Sequence, residues 1–251
     1  LYFHLIPFPV FLCFLCCAPA VVAQDSSEQL EYYLGRARRY LPAHTDSAFM
    51  LARKAETMAS EGSMPLALAR SYNLLGEIFF HEAAFNQSLE YLLKAEALLA
   101  DKKNTALQAE NFNFLGQVYY YIRQPESTFE YHQKALAAFN ELVDSISMAS
   151  TYGFLGHYFE KKGVYDSALN YQQKALAIYQ NKSDWKGKMI VLENLGSIYE
   201  DLELYDKAER YFLEAIELNS TFGDEGGTTH LYNNLGDIYY KTDRYEKAHY
   251  F

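Results

Sequence analysis

The sequence predicts an all-α fold, a solenoid of antiparallel helix pairs, on three observations. The dipeptide Leu-Gly recurs every 40 residues, with its glycine at Gly76, Gly116, Gly156, Gly196 and Gly236. An aromatic residue stands three positions after each glycine and a large residue four positions before it, offsets that share one helical face. A second segment of each repeat holds two small residues seven positions apart, which is about two helical turns.

Each repeat is expected to form two helices joined by a short turn. The run Lys161-Lys162-Gly163-Val164 predicts one such turn, and the following Tyr165-Asp166-Ser167-Ala168 predicts the start of a second helix. Small residues such as Ala168 and Ala175, together with the repeated glycine, let the two helices approach closely. A single pair cannot bury its apolar face, so the core is expected to form by stacking of neighbouring pairs.

The two ends of the chain depart from this template. Residues 24–64 are expected to form a degenerate repeat that caps the array, since Asp46-Ser47-Ala48 aligns in frame with Asp166-Ser167-Ala168. Residues 65–251 are expected to contain about five repeats. The last repeat is predicted to be truncated, because Phe251 falls inside a second helix whose apolar face would be bare.

Residues 1–23 are predicted to be an export signal. This segment contains no Lys, Arg, Asp or Glu and is mostly apolar. It ends in small residues, with Val21 and Ala23 at the two positions that a signal peptidase recognises before Gln24. The protein is therefore expected on the periplasmic or extracytoplasmic side of a membrane.

Two alternatives remain at this N-terminus. Ala18 and Ala20 offer a second cleavage site, and the apolar run is also nearly long enough for an uncleaved membrane anchor. The chain starts at Leu1 and lacks a basic segment before the apolar run. These features predict that it is a fragment of a longer protein, with membrane contact possible through an uncleaved N-terminus or through missing C-terminal sequence.

The composition excludes several classes of function. The net charge is -10, and such a surface repels phosphate backbones, so nucleic acid is not an expected partner. All three cysteines, Cys13, Cys16 and Cys17, lie in the predicted export signal. The repeats therefore have neither a disulfide nor a thiolate metal site.

A catalytic or metal site is not predicted in the repeats. His81-Glu82 begins like the helix of a zinc protease, but Phe85 stands where the second histidine ligand would be. The other histidines show no ligand spacing. The segment is thus expected to have no metal and no cofactor and not to be an enzyme.

The repeat resembles a known family. The run from Asn194-Leu195-Gly196 to Tyr199, followed by Tyr205, Ala208 and Ala215, is similar to the tetratricopeptide repeat. The resemblance covers residues 65–251, and its period of 40 residues instead of the family's usual 34 predicts longer helices. It implies a right-handed α–α superhelix that binds a protein or an extended peptide.

The resemblance also implies where a ligand would lie, because first helices line a groove in this family. Three non-template positions, at -3, +1 and +4 from the repeated glycine, form one polar and variable stripe. A solvated helix face would show the same polarity, but the binding interpretation is favoured. The predicted groove residues are Asn73, Glu77, Phe80, Asn113, Gln117, Tyr120, His157, Glu160, Glu193, Glu200, Asn233, Asp237 and Tyr240.

Two functions fit these features. The first is an exported scaffold that holds a protein or peptide, with the acidic later repeats favouring a basic segment and the amide-rich earlier repeats favouring an extended backbone. The second is the extracytoplasmic sensing region of a bacterial sensor histidine kinase or of a membrane-anchored helix-turn-helix regulator. In the second case a membrane span and an effector domain would follow residue 251.

Overall fold

The computed structural model describes residues 18–41, 43–101, 106–222 and 228–250. The chain divides into two compact bodies, an N-terminal body that ends at Asp101 and a C-terminal body that begins at Lys102. The regular secondary structure of the described residues is helical throughout. This confirms the predicted all-α class. Most of the predicted export signal, and Phe251, lie outside the described residues.

The N-terminal body contains four helices: α1 (Ala18–Tyr40), α2 (Thr45–Glu61), α3 (Pro65–His81) and α4 (Phe85–Leu99). Helix α2 packs between α1 and α3, and α3 packs on α4. Small side chains such as Ala48 and Ala55 are fully buried on α2 and let it lie close to both neighbours. The segment predicted as a capping repeat thus forms most of the pair α1–α2.

The C-terminal body contains eight helices. These are α5 (Ala106–Tyr121), α6 (Pro125–Glu141), α7 (Ser145–Lys161), α8 (Tyr165–Lys182), α9 (Trp185–Asp201), α10 (Tyr205–Phe222), α11 (Thr229–Lys241) and α12 (Tyr245–Tyr250). The turn predicted at Lys161–Val164 is confirmed, because α7 ends at Lys161 and α8 begins at Tyr165. Gly163 in this turn has a φ of 71°, a conformation that glycine adopts at little cost.

Helix pairs stack in the C-terminal body as the repeat predicts. The two helices of each repeat pack together, and the second helix of each repeat then packs on the first helix of the next. The first helices also contact one another, α5 with α7 and α7 with α9. Helices α5, α7 and α9 therefore form one continuous layer.

The Leu-Gly pair has a defined packing role. The leucine is buried in every repeat, as in Leu195, which is 1% exposed. A Cβ atom added at Gly196 would lie 2.5 Å from Cε1 of Phe212, sixteen residues later. The same close approach joins Gly76 to Leu92. The glycine therefore leaves room for a large side chain of the second helix, which packs directly against the backbone of the first.

Stacked aromatic rings explain the abundance of tyrosine. The aromatic residue three positions after the glycine stacks on a tyrosine twelve positions further on, in the second helix. In the repeat of Gly156 this pair is Phe159 and Tyr171, with ring centroids 5.5 Å apart. Equivalent stacks join Phe79 to Tyr91, Tyr119 to Tyr131, and Tyr199 to Tyr211.

Candidate functional site

A recess opens in the layer of first helices of the C-terminal body. It has a volume of 360 Å³ and lies between Gln117 on α5, His157 on α7, and Ile190 and Asn194 on α9. Gln117 and His157 belong to the predicted groove stripe. None of the residues that line the recess is Asp, Glu, Lys or Arg. The recess is thus a mixture of apolar and uncharged hydrogen-bonding groups.

An unpaired hydrogen-bond acceptor is buried beside Gly153, which lines this recess. The Gln172 side chain reaches from α8 under Gly153, where its Nε2 donates to the carbonyl oxygen of Gly153 at 3.0 Å. Its Oε1 atom is buried and has no hydrogen-bond partner among the described residues. A Cβ atom added at Gly153 would lie 4.0 Å from this oxygen. Gly153 therefore lies close to a buried group that lacks a donor.

A chain of hydrogen bonds lies at one end of the recess. The hydroxyl of Tyr120 on α5 is 3.4 Å from Nε2 of His157, and Nδ1 of His157 is 3.2 Å from Oε2 of Glu160. Burial acts to raise the pKa of Glu160, but hydrogen bonds from His157 and Lys161 outweigh it and hold that pKa below its usual value. The structure thus brings three predicted groove residues together and fixes the orientation of the His157 ring.

The predicted acidic residues of the later repeats are largely paired. Glu200 and Asp237 share Lys241, whose Nζ lies 2.8 Å and 2.6 Å from their carboxylate oxygens. The hydrogen bond from Lys241 is the main cause that lowers the pKa of Asp237. Glu193 is 3.1 Å from Nε2 of His230. These partners leave less free negative charge for a basic ligand than the sequence alone suggests.

The remaining predicted residues are spread over several environments. In the C-terminal body, Asn113 accepts a hydrogen bond from the Thr151 hydroxyl at 3.2 Å. Asn233 and Tyr240 are exposed on α11, away from the recess. In the N-terminal body, Asn73 is 6% exposed, Glu77 lies 3.8 Å from Arg38, and Phe80 packs against Phe85.

Several residues in or beside the recess were not predicted. Gln172 stands sixteen positions after Gly156, where the other repeats have Leu92, His132 and Phe212. A side-chain amide where two other repeats have Leu92 and Phe212 was the signal that could have revealed it. Phe154, Tyr179 and Ile190 carry no such signal, because they differ little from ordinary packing residues.

Neither a metal site nor a membrane span emerges from the described part of the chain. No group of three His, Cys, Asp or Glu side chains there could hold a metal ion. No described helix is both long enough and apolar enough to cross a bilayer.

Solved structures with low sequence identity share the fold. A signal-transduction ATPase with numerous domains and a tetratricopeptide repeat sensor, from Pyrococcus horikoshii, superposes with a TM-score of 0.75 at 17% identity. The match covers 90% of this chain and 35% of the ATPase. BtubC from P. vanneervenii superposes with a TM-score of 0.65 at 19% identity, and the match covers 88% of this chain and 87% of BtubC. NprR, in complex with its cognate peptide NprX, superposes with a TM-score of 0.68 at 17% identity. The match covers 88% of this chain and 63% of NprR.

These likenesses confirm the predicted α–α superhelix class. Among curated proteins, none matches the chain in sequence. The family profile described as tetratricopeptide repeat matches residues 105–181 and 188–251, which together make up more than half of the chain. The chain belongs to the tetratricopeptide repeat family.

Proposed function

We propose that the C-terminal body binds an extended peptide segment of a protein partner across α5, α7 and α9. The observation that carries this proposal is the recess lined by Gly153, beside which the unpaired Oε1 of Gln172 is buried. Leaving a buried acceptor unpaired costs about 1–3 kcal/mol, so a ligand that donates a hydrogen bond to it gains affinity. We thus expect the ligand to place a small hydrogen-bond donor beside Gly153.

The rim of the recess suits a peptide backbone. Gln117 and Asn194 carry side-chain amides, which donate and accept hydrogen bonds as a peptide group does. Ile190, which is 54% exposed, and Phe154 offer apolar contact beside them. An uncharged lining favours a peptide whose central residue is uncharged. The structure of NprR with a peptide supports this proposal by analogy of fold.

Filling the recess is expected to abolish most peptide binding. Gly153→Asn introduces the residue that stands at the equivalent position in Asn73, Asn113 and Asn233. The helix accepts it, because the added Cβ meets no atom closer than 4.0 Å. We expect peptides selected from an array with the full chain to bind the variant at least about tenfold more weakly, since a buried hydrogen bond and its contacts are lost.

The matched control for this experiment is Gly35→Asn. Gly35 is exposed on α1 and an added Cβ there meets nothing within 4 Å. Affinity for the same peptides should be unchanged in this variant. Equal affinities of wild type and Gly153→Asn would show that the recess does not bind the peptide.

We further propose that the array acts outside the cytoplasm, with residues 1–23 as a cleaved signal. The uncharged apolar segment and the small residues Val21 and Ala23 support this. Expression in an export-competent bacterium, with an initiator Met added before Leu1, should give a product whose N-terminal sequence begins at Gln24. A product that retains Leu1 would contradict cleavage.

A sensing region of a signalling protein is the second candidate function. It is favoured by the likeness to the Pyrococcus horikoshii ATPase, whose repeats are described as a sensor. A natural gene that continues past Phe251 into an apolar stretch of about 20 residues and then a kinase or helix-turn-helix sequence would support this role. A stop codon after one more helix would favour a free scaffold.

A further inference from the structure

A second cavity of the C-terminal body lies at the ends of α5 and α7. It has a volume of 730 Å³ and lies against the first turn of α6. Six of its nine lining residues are aromatic or cationic. Three are tyrosines, Tyr120, Tyr121 and Tyr158, and three are cations, Arg123, Lys161 and Lys162.

Two of these cations have no counter-charge. The Arg123 guanidinium has no hydrogen-bond or ion-pair partner among the described residues. The Lys162 ammonium lies 4.7 Å from the centroid of the Tyr158 ring and pairs with no described carboxylate. Lys161, in contrast, is 3.3 Å from the buried carboxylate of Glu160. The cavity therefore carries about two uncompensated positive charges in a chain whose net charge is -10.

Its aromatic walls are held in place by packing. Tyr158 is 5% exposed, and its hydroxyl donates to the carbonyl oxygen of Pro125 at 3.1 Å. The Tyr120 ring lies 6.4 Å from the Tyr158 ring and 5.4 Å from the Tyr121 ring. Tyr121 is 49% exposed and presents a ring at the mouth of the cavity. A flat ligand can thus contact an aromatic wall without large rearrangement.

The nearest acidic groups do not cancel this charge. Glu160 is 3% exposed in its side chain and is shared between His157 and Lys161. Glu126, in the first turn of α6, is exposed and is not among the residues that line the cavity. The residues that line the cavity therefore include three cations and no carboxylate.

We propose that this cavity binds a phosphate group attached to a flat ring. A phosphate monoester carries about two negative charges at pH 7, which match the two unpaired cations, and Arg binds phosphate with paired hydrogen bonds. The ring contacts the tyrosines. Two sources have this chemistry, a phosphorylated tyrosine side chain and a nucleoside monophosphate. The residues that line this cavity differ from those that line the peptide recess, although Tyr120 of the cavity contacts His157 of the recess.

Phenyl phosphate is the probe that tests this proposal, in calorimetric titration of the full chain at low ionic strength. We expect one saturable site, with inorganic phosphate and phenol each at least about tenfold weaker, because each lacks one half of the recognised chemistry. Arg123→Ala and Lys162→Ala should each lower the affinity for phenyl phosphate by about tenfold. Affinity should fall below about pH 6, where the phosphate takes up a proton.

Lys186→Ala is the matched control. Lys186 Nζ also lies near an aromatic ring, 5.4 Å from Trp185, but outside the cavity, so its removal should leave phenyl phosphate affinity unchanged. Gly153→Asn should also leave it unchanged, which separates this site from the peptide recess. Phosphotyrosine and adenosine monophosphate are titrated in parallel, and the one that binds more tightly identifies whether the natural ligand is a phosphorylated side chain or a nucleotide. The proposal would be overturned if phenyl phosphate bound no more tightly than inorganic phosphate, or if it bound both cavity variants as tightly as it binds wild type.

Discussion

Phe212→Ala is expected to lower the free energy of unfolding by about 3–5 kcal/mol, the usual cost of truncating a buried phenylalanine. Phe212 is fully buried, and its ring lies against the backbone at Gly196. The same core contains Leu192 and Leu231, which would line the resulting cavity. Denaturant unfolding followed by circular dichroism measures the loss.

A double-mutant cycle tests whether the glycine and the ring are coupled. Gly196→Ala alone should destabilise by about 1–3 kcal/mol, since its Cβ overpacks against Phe212. Gly35→Ala should instead stabilise by roughly 0.5–1 kcal/mol, because an exposed helical glycine there has free space. Once Phe212 is alanine, Gly196→Ala should lose its cost. Strict additivity of the two changes would contradict the packing role assigned to the glycine.

His132→Leu is expected to stabilise the protein at pH 7 and to remove much of its sensitivity to acid. His132 is fully buried against Gly116 and Phe154, and neither ring nitrogen has a hydrogen-bond partner among the described residues. Leucine stands at the equivalent position as Leu92. Removing an unsatisfied polar group should therefore add about 1–3 kcal/mol at pH 7.

The acid effect follows from the sign of the pKa shift. Burial lowers the pKa of His132 from 6.5 to about 3, so below pH 6.5 the unfolded chain binds a proton that the folded chain does not. The contribution of neutral His132 to the free energy of unfolding is fully present above about pH 6.5. This contribution is lost as the pH falls toward 3, by roughly 4–5 kcal/mol in total.

Unfolding midpoints measured from pH 7 to pH 4 test this effect. The difference in stability between His132→Leu and wild type should widen as the pH falls. His249→Leu, on the exposed surface of α12, is the control and should follow the wild-type profile. Parallel pH profiles for His132→Leu and wild type would show that His132 is not buried as a neutral group.

The repeat pattern was sufficient to predict the helices and their packing partners. Its signals are local: a small residue permits close approach, and spacings of three, four and seven residues place side chains on one face. The period of 40 also relates residues in neighbouring repeats. It could have revealed that Lys241 reaches Glu200, since the two stand 41 positions apart on adjacent first helices. A charge pattern within a single repeat does not indicate this pairing.

The recess and the aromatic cavity were not predictable in the same way. The recess needs Gly153 and Gln172, which are on different helices, and the orientation of one amide group decides whether its oxygen is paired. The charge of the cavity depends on the side-chain conformations of Arg123 and Lys162, which lie in two separate turns. Long, flexible side chains have many rotamers, and a sequence pattern does not specify which of them is adopted.

Hydrogen–deuterium exchange with and without an array-selected peptide tests the proposed binding face most directly. A peptide that lies across α5, α7 and α9 should slow exchange in these helices, most strongly around Gly153 and Asn194, and leave the solvent-facing residues of α6, α8 and α10 unchanged. Protection confined to α6, α8 and α10, or protection that persists in Gly153→Asn, would contradict the proposed site.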